Sequence, residues 1–345
     1  MLIRGKLRQN LKVMRDSLRE ATYSAGSGRL HYRFMSRSFD RETAAVFAGI
    51  KEHRKRTRVG SEIFELRRRI HMIEKGLTMR PRRDTFAVAY IGMTIDRLSR
   101  AIDAGALDNV TIAWARDVLD AYFVATSTSS SRAIADAQRR YAQLDVSSEA
   151  PYGGPAPLGE PTRSVAYRDL AQLAASRRSV RWYTDASVDR EIVDRAIEVA
   201  MEAPTACNRV PYRFRVFDSP DDARTIATIA GGTAGYVHNL QSIVVVVGDL
   251  AAYVEERDRH LIYIDSSLAA MSFLLAMQSQ GVATCCINWP DITAPEKKLT
   301  DLIGLRRHER VVMLIAYGYG DPTGLAPISP KFPLPRARTF ERLGE

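Results

Sequence analysis

The chain has 345 residues, 46% of them hydrophobic and 26% charged, so about two globular domains of ordinary composition are expected, and collagen-like, disulfide-scaffold and wholly disordered chains are excluded. Three cysteines, two of them adjacent, fit a reducing cytoplasm. The net charge of +10 lies in the first half: residues 1–83 hold 22 Lys and Arg against 8 Asp and Glu, whereas residues 161–345 hold 22 of each. That asymmetry points to two modules with different tasks, the first able to meet an anionic partner; the bland reading of any one Arg run is a solvated helix face. The most apolar run, Ile243 to Val247, is far shorter than a membrane span, and the basic N-terminus lacks the apolar segment of a signal peptide.

In chain order, Leu2, Leu7, Leu11, Met14 and Leu18 predict a basic helix over 1–23, and Ser24 to Gly28 break it. A second helix is expected over 40–58. A third, from Glu62 to Lys75, is capped by Ser61 and stopped by Gly76, with Pro81 beyond. Further helices are expected over 86–104, 108–125 and 131–144, with no strand pattern in this half. Residues 147–164 are dense in Pro and Gly and read as a linker. Beyond it the element types mix. Helices are expected over 167–177, 189–201, 221–229, 262–279 and 294–303, and strands over 212–217, 242–248, 283–287 and 310–319. The helix over 262–279 reads as buried on most faces. The domains are therefore a basic helical region (1–146), a linker (147–164) and an α/β or α+β domain (165–345).

Familiar catalytic machinery is missing from the sequence. There is no phosphate-binding P-loop, no dinucleotide fingerprint and no paired Cys or His spacing for a metal. Cys285 and Cys286 sit on an apolar strand and read as packing residues. What remains is a set of anion-binding and ring-cradling residues. Ser176 to Arg181 places Arg177, Arg178 and Arg181 around Ser179, and guanidinium forks with a hydroxyl suit a phosphate. Pro204, Thr205, Ala206 and Asn208 follow a helix, where small residues let a planar ligand approach and an amide can meet a heterocycle edge. Arg336 and Arg338 add two cations near the end. A nucleotide-like ligand with one phosphate and one planar ring would use all three pieces.

These pieces, in this order, resemble the nitroreductase family of flavin enzymes. The motifs are Arg177-x-Ser179-x-Arg181, the stretch Ala203 to Tyr212, and the pair Arg336 and Arg338. The helix before Gly281 and the strand Thr284 to Trp289 also resemble the family's central helix and its flavin-facing strand, and the match covers roughly residues 165–340. The resemblance implies an α+β fold: an α/β/α sandwich with a mainly antiparallel sheet, here preceded by an all-helical region. It implies FMN as cofactor and NAD(P)H as electron donor, with hydride passing through the flavin to a small-molecule acceptor and with no obligatory side-chain acid or base. It implies an intertwined homodimer in the cytoplasm. Arg177, Arg181, Arg336 and Arg338 would hold the phosphate and ribityl oxygens, and Arg178 and Ser179 the pyrimidine edge or ribityl chain. Pro204, Thr205, Ala206 and Asn208 would line the ring from the second subunit, and Cys286, Ile287 and Asn288 would approach its other face through backbone groups.

The chain departs from the family's Gln-Pro-Trp with Val210-Pro211-Tyr212, and Trp289 stands where a small residue is common and would narrow the pocket. Both changes imply a specialised acceptor. His71 and Glu74 lie three apart on one helix face, a spacing for an ordinary polar contact or for reaching substrate or flavin. Similar helical extensions occur on nitroreductase-like proteins encoded among polysaccharide-biosynthesis genes, which implies a sugar-related or other specialised role. The alternative, from another class, is a flavin-binding or catalytically silent scaffold whose basic helices bind an anionic partner.

Overall fold

The computed structural model describes residues 30–159 and 164–343. The helix and break expected over 1–28 lie outside the described residues. The first half is helical: α1 (Asp40–Val59), α2 (Phe64–Leu77), α3 (Ile91–Asp103), α4 (Asn109–Ala125) and α5 (Arg132–Tyr141). Apolar side chains at helical spacing on α2 to α5 (Leu66, Ile70, Ile73, Ile95, Leu98, Val118, Leu119, Tyr122) close one core.

Three local expectations for this half are corrected. Ser61 does not cap α2. The Glu62 carboxylate accepts the Phe64 and Glu65 amides (2.9 and 2.7 Å) and satisfies the free N–H groups of that helix end. Gly76 lies inside α2, because its missing side chain is what lets the Phe86 ring lie on the helix: a Cβ there would stand 2.4 Å from Phe86. The helix expected from residue 86 starts at Ile91, after a turn in which Ala87 has φ +58°.

The second half is α6 (Tyr167–Ser176), α7 (Arg190–Met201), β1 (Tyr212–Phe217), α8 (Pro220–Ile229), β2 (Ser242–Asp249), α9 (Leu261–Ser279), β3 (Ala283–Ile287), α10 (Thr293–Ile303), β4 (Glu309–Gly318) and the short α11 (Leu334–Ala337). The four strands form one antiparallel sheet in the order β1-β2-β4-β3. Successive strand residues point to opposite faces, so β2 builds two cores. Ile243, Val245 and Val247 pack with Ala223 and Ile226 of α8 and Leu299 of α10. Val244 and Val246 pack with Val193 and Ala196 of α7 and Ala269, Phe273 and Met277 of α9. Helices on both faces of an antiparallel sheet make this an α+β, α/β/α sandwich, as expected.

Helix α9 is buried on one face only. Ile264, Leu268 and Met271 are 53, 46 and 44% exposed, which corrects the expectation of a helix buried on most faces. With the turn before it, residues 256–279 are long and apolar enough to cross a membrane by length and composition, and half of that window is buried inside the fold.

The two halves touch along α1. Gly49 backs directly onto the Leu250 backbone, where a Cβ would fall at 2.7 Å, and Val46 and Ile50 share a small core with Leu250, Tyr253 and Ile262. The His53 Nδ1–H donates to the Ala251 carbonyl (2.9 Å), which fixes its tautomer. Arg56 pairs with Asp249 (3.4 Å), and Asp249 pairs in turn with His308 (2.8 Å). Arg41 donates to the Ile292 carbonyl (3.1 Å) and pairs with Asp291. Of the Pro/Gly-rich stretch, the Gly153 N–H donates to Asp117 of α4 (2.8 Å) and Ser148 Oγ to the Asn109 carbonyl (2.7 Å).

Candidate functional site

The residues singled out from sequence fall into three groups. The first forms where the chain leaves α6. Residues 177–181 run beside β3: Ser179 bridges Thr284 in parallel, and the Val180 N–H donates to the Thr284 carbonyl (3.1 Å). The Arg177–Arg181 cluster is thereby laid against the strand that carries Cys286 and Ile287 and runs into Asn288, over a hundred residues later. Arg177, Arg178, Ser179 and Arg181 are all half-buried. Arg181 stacks over the Tyr236 ring (5.6 Å), and Arg178 turns back to the Ala175 and Arg177 carbonyls. Neither Arg177 nor Arg181 has a carboxylate partner among the described residues. Cys285 is fully buried in the sheet core, whereas Cys286 is exposed on the strand's other face with Asn288, so only one of the vicinal cysteines packs as expected.

The second group is the loop after α7. Thr205 enters a 3-10 turn, Ala206–Asn208, in which Cys207 and Asn208 have φ +57° and +51°; Val210 follows at +52°. A β-branched residue there is strained by about 1–3 kcal/mol, so surrounding contacts must hold the loop. They come from two sides. The Ala206 N–H donates to Asp265 of α9 (3.0 Å), which also accepts from the Tyr253 hydroxyl (3.4 Å); burial raises the Asp265 pKa. The buried Arg209 lies over the Tyr253 ring (5.0 Å) and donates to the Ala206 carbonyl (3.4 Å). From the other side, Arg67 of α2 donates through Nε to the Asn208 carbonyl (2.8 Å) and through Nη1 to Thr111 Oγ1 (3.0 Å), with its guanidinium over Trp114 (5.0 Å). Burial lowers the Arg67 pKa. Here the solvated-face reading of the Arg67–Arg69 run fails.

The third group stands apart. Arg336 and Arg338 are exposed and stack on their own neighbours, Phe332 (3.9 Å) and Phe340 (4.1 Å). Among the described residues no hydrogen bond or ion pair joins these three groups within one chain.

Two further expectations change. Trp289 lies in the core, 9% exposed, and its Nε1–H donates to Glu296 (2.6 Å), so it does not narrow a pocket. Its polar edge found a buried carboxylate on the next helix, which spacing alone does not reveal. His71 and Glu74 do meet (3.3 Å), and the second Glu74 oxygen accepts from Trp114 Nε1 (3.1 Å), making the pair part of the packing between α2 and α4. Sequence reasoning missed Asp265 and Arg67. Asp265 carried a signal, a lone acid inside an otherwise apolar helix; Arg67 carried none, because its partner lies 141 residues away.

Comparison with known proteins gives the same direction. The nitroreductase family model matches residues 174–237 and 231–319. The Bacillus subtilis protein YdgI, an NAD(P)H nitroreductase by name, is 26% identical over 195 residues, 46% of this chain and 91% of its own. The iodotyrosine deiodinase 1 of Pongo abelii is 24% identical over 48% of this chain and 66% of its own, and an FMN reductase (NADPH) of Bacillus subtilis is 25% identical over 46% and 68%. A crystal structure of a nitroreductase family protein from Clostridium novyi superposes with a TM-score of 0.40 at 23% identity, over 44% of this chain and 86% of that one. Residues 174–319 thus match the nitroreductase family, and the chain is a nitroreductase-like oxidoreductase.

Proposed function

We propose that the chain is an FMN-dependent oxidoreductase that passes two electrons, as hydride, from NAD(P)H to a small-molecule acceptor. The observation that carries this reading is the Ser179–Thr284 bridge. It sets the Arg177–Arg181 cluster, free of carboxylates, against the exposed edge of Cys286 and Asn288. Guanidiniums without carboxylate partners, beside a strand whose backbone and the amide that follows it can meet a ring edge, are the donor set an FMN phosphate and isoalloxazine require. When bound, FMN supplies reversible two-electron acceptance. The protein's own residues bind and orient: Arg177 and Arg181 neutralise the phosphate, joined by Arg336 and Arg338, and Arg178 and Ser179 serve the ribityl chain or pyrimidine edge. Cys286, Ile287 and Asn288 present backbone groups to one ring face, and Pro204, Thr205, Ala206 and Asn208 line the other.

The last four residues belong to the second subunit in this reading. Support comes from the lack of any hydrogen bond or ion pair, among the described residues, between their loop and the Arg cluster, and from the exposed apolar stripe Ile264, Leu268, Met271 on α9, which suits a homodimer. The division into a helical region (1–146), a connector (147–164) and a flavin domain (165–345), and a cytoplasmic location, are part of the same proposal.

The test is the visible absorption spectrum of the purified protein, followed by anaerobic addition of NADH or NADPH. Flavin bands that bleach establish a reducible site. Bands that persist favour a scaffold or another electron donor. A chain that takes up no FMN on reconstitution overturns the reading.

A further inference from the structure

The stretch His71 to Leu77, conspicuous in sequence, ends in a feature the flavin reading does not use. Where the C-terminal turns of α2 meet the loop to α3 there is a cavity of about 420 Å³. Its floor is apolar and aromatic (Met72, Phe86, Tyr90), and its rim carries Met79, Arg80 and Arg83. This volume falls in the range of small-molecule sites, which are concave, mostly apolar and marked by a few polar groups.

The floor is held rigidly. Gly76 lets the Phe86 ring rest on the helix backbone, the Tyr122 hydroxyl donates to the Phe86 carbonyl (2.8 Å), and the two rings meet edge to face at 5.0 Å. Thr85 and Ser129 tie the loop to the connection between α4 and α5 through a 2.8 Å hydroxyl pair. The rim is the opposite. Arg80, Arg82 and Arg83 are exposed, and among the described residues their side chains make no hydrogen bond or ion pair. Of the acids nearest in sequence, Glu74 is committed to His71 and Trp114, and Asp84 is exposed and pairs with none of the three arginines among the described residues. Clustered cations without partners around a preformed aromatic floor suit a ligand with a flat apolar body and an anionic head.

We propose that this cavity is a binding site for a small amphipathic anion, an aromatic or alicyclic ring system bearing a carboxylate, sulfonate or phosphate. Its lining on α2, Met72 and Gly76, lies about 8 to 14 Å along the helix axis from Arg67, and its recognition does not depend on the flavin.

The test is calorimetric titration of the full chain, with FMN and as purified, using 2-naphthoate and its neutral isostere 2-naphthamide. The variant is Arg80→Gln/Arg83→Gln, whose side chains are exposed and outside the flavin groups. Saturable naphthoate binding is expected, tighter than that of naphthamide and weakened roughly tenfold in the variant, with the flavin absorbance unmoved. Three results overturn the proposal: no naphthoate binding, equal binding of acid and amide, or binding that survives in the variant and perturbs the flavin spectrum. A failure of the flavin reading shows separately, as the absence of FMN uptake, and leaves the titration interpretable.

Discussion

Arg67 Nε donates to the Asn208 carbonyl at 2.8 Å, and this contact ties a helix of the first half to the strained loop of the second. The same guanidinium is braced by Thr111 and Trp114, so its position is set by two helices. The helical region is thus a support for the candidate ring-lining residues, and its integrity decides whether a backbone with three positive φ values at Cys207, Asn208 and Val210 keeps its shape.

Substituting Arg67→Ala removes a charge-assisted hydrogen bond from a half-buried acceptor, a loss of about 1.5–3 kcal/mol. FMN affinity is expected to fall by about tenfold or more, read by fluorescence titration, with the folded state retained by circular dichroism. Unchanged affinity would show that the loop holds its shape without α2.

Arg177 and Arg181 are assigned to the phosphate, so the double variant Arg177→Ala/Arg181→Ala should discriminate between two flavins. FMN affinity should drop by one to two orders of magnitude, while riboflavin, which lacks the phosphate, should bind the variant and the parent protein alike. Equal losses for both flavins would move these arginines from the phosphate to the ring.

The exposed stripe on α9 predicts self-association. Leu268→Glu places a charge in the middle of Ile264, Leu268 and Met271. Burying a leucine of this kind stabilises an interface by about 1.5–3 kcal/mol. Sedimentation should show a dimer for the parent protein and a monomer for the variant, with flavin lost from the monomer if the ring-lining loop comes from the second subunit.

The junction between the halves should respond to pH through two buried groups 3.6 Å apart, Glu62 and His53. Burial raises the Glu62 pKa from an ordinary 4.5 to about 7, against the pull of the Phe64 and Glu65 amides. Its folded form therefore binds more protons than the unfolded chain between those values, and its contribution to stability is lost as pH rises from about 4.5 to 7. A shift of that size corresponds to roughly 3 kcal/mol. Burial lowers the His53 pKa below its ordinary 6.5, so its contribution is present above that value and is lost as pH falls through the lowered pKa. Glu62→Gln should flatten the decline toward neutral pH in a series of urea melts, and His53→Gln should flatten the decline on the acid side.

Which parts were legible follows from how far each interaction reaches along the chain. The continuous apolar run within 242–248 and helical spacing within 189–201 are local signals, and they located β2 and α7 to within a residue or two. The Arg177–Ser179–Arg181 cluster and the small-residue loop at 204–208 were visible for the same reason, as short motifs of fixed composition. Local rules erred where a partner remote in sequence overrode them. Gly76 reads as a helix stop until the Phe86 ring claims its open side, and Trp289 reads as a pocket wall until Glu296 takes its indole N–H. Composition and periodicity alone thus determined the helices of the described first half and the strands, and they marked out residues whose chemistry suits an anionic ring ligand. Tertiary structure alone decided that Ser179 lies beside Thr284 and that Arg67 reaches Asn208. Pairings across 105 and 141 residues are fixed by how the finished layers pack, and no local preference of the chain encodes them.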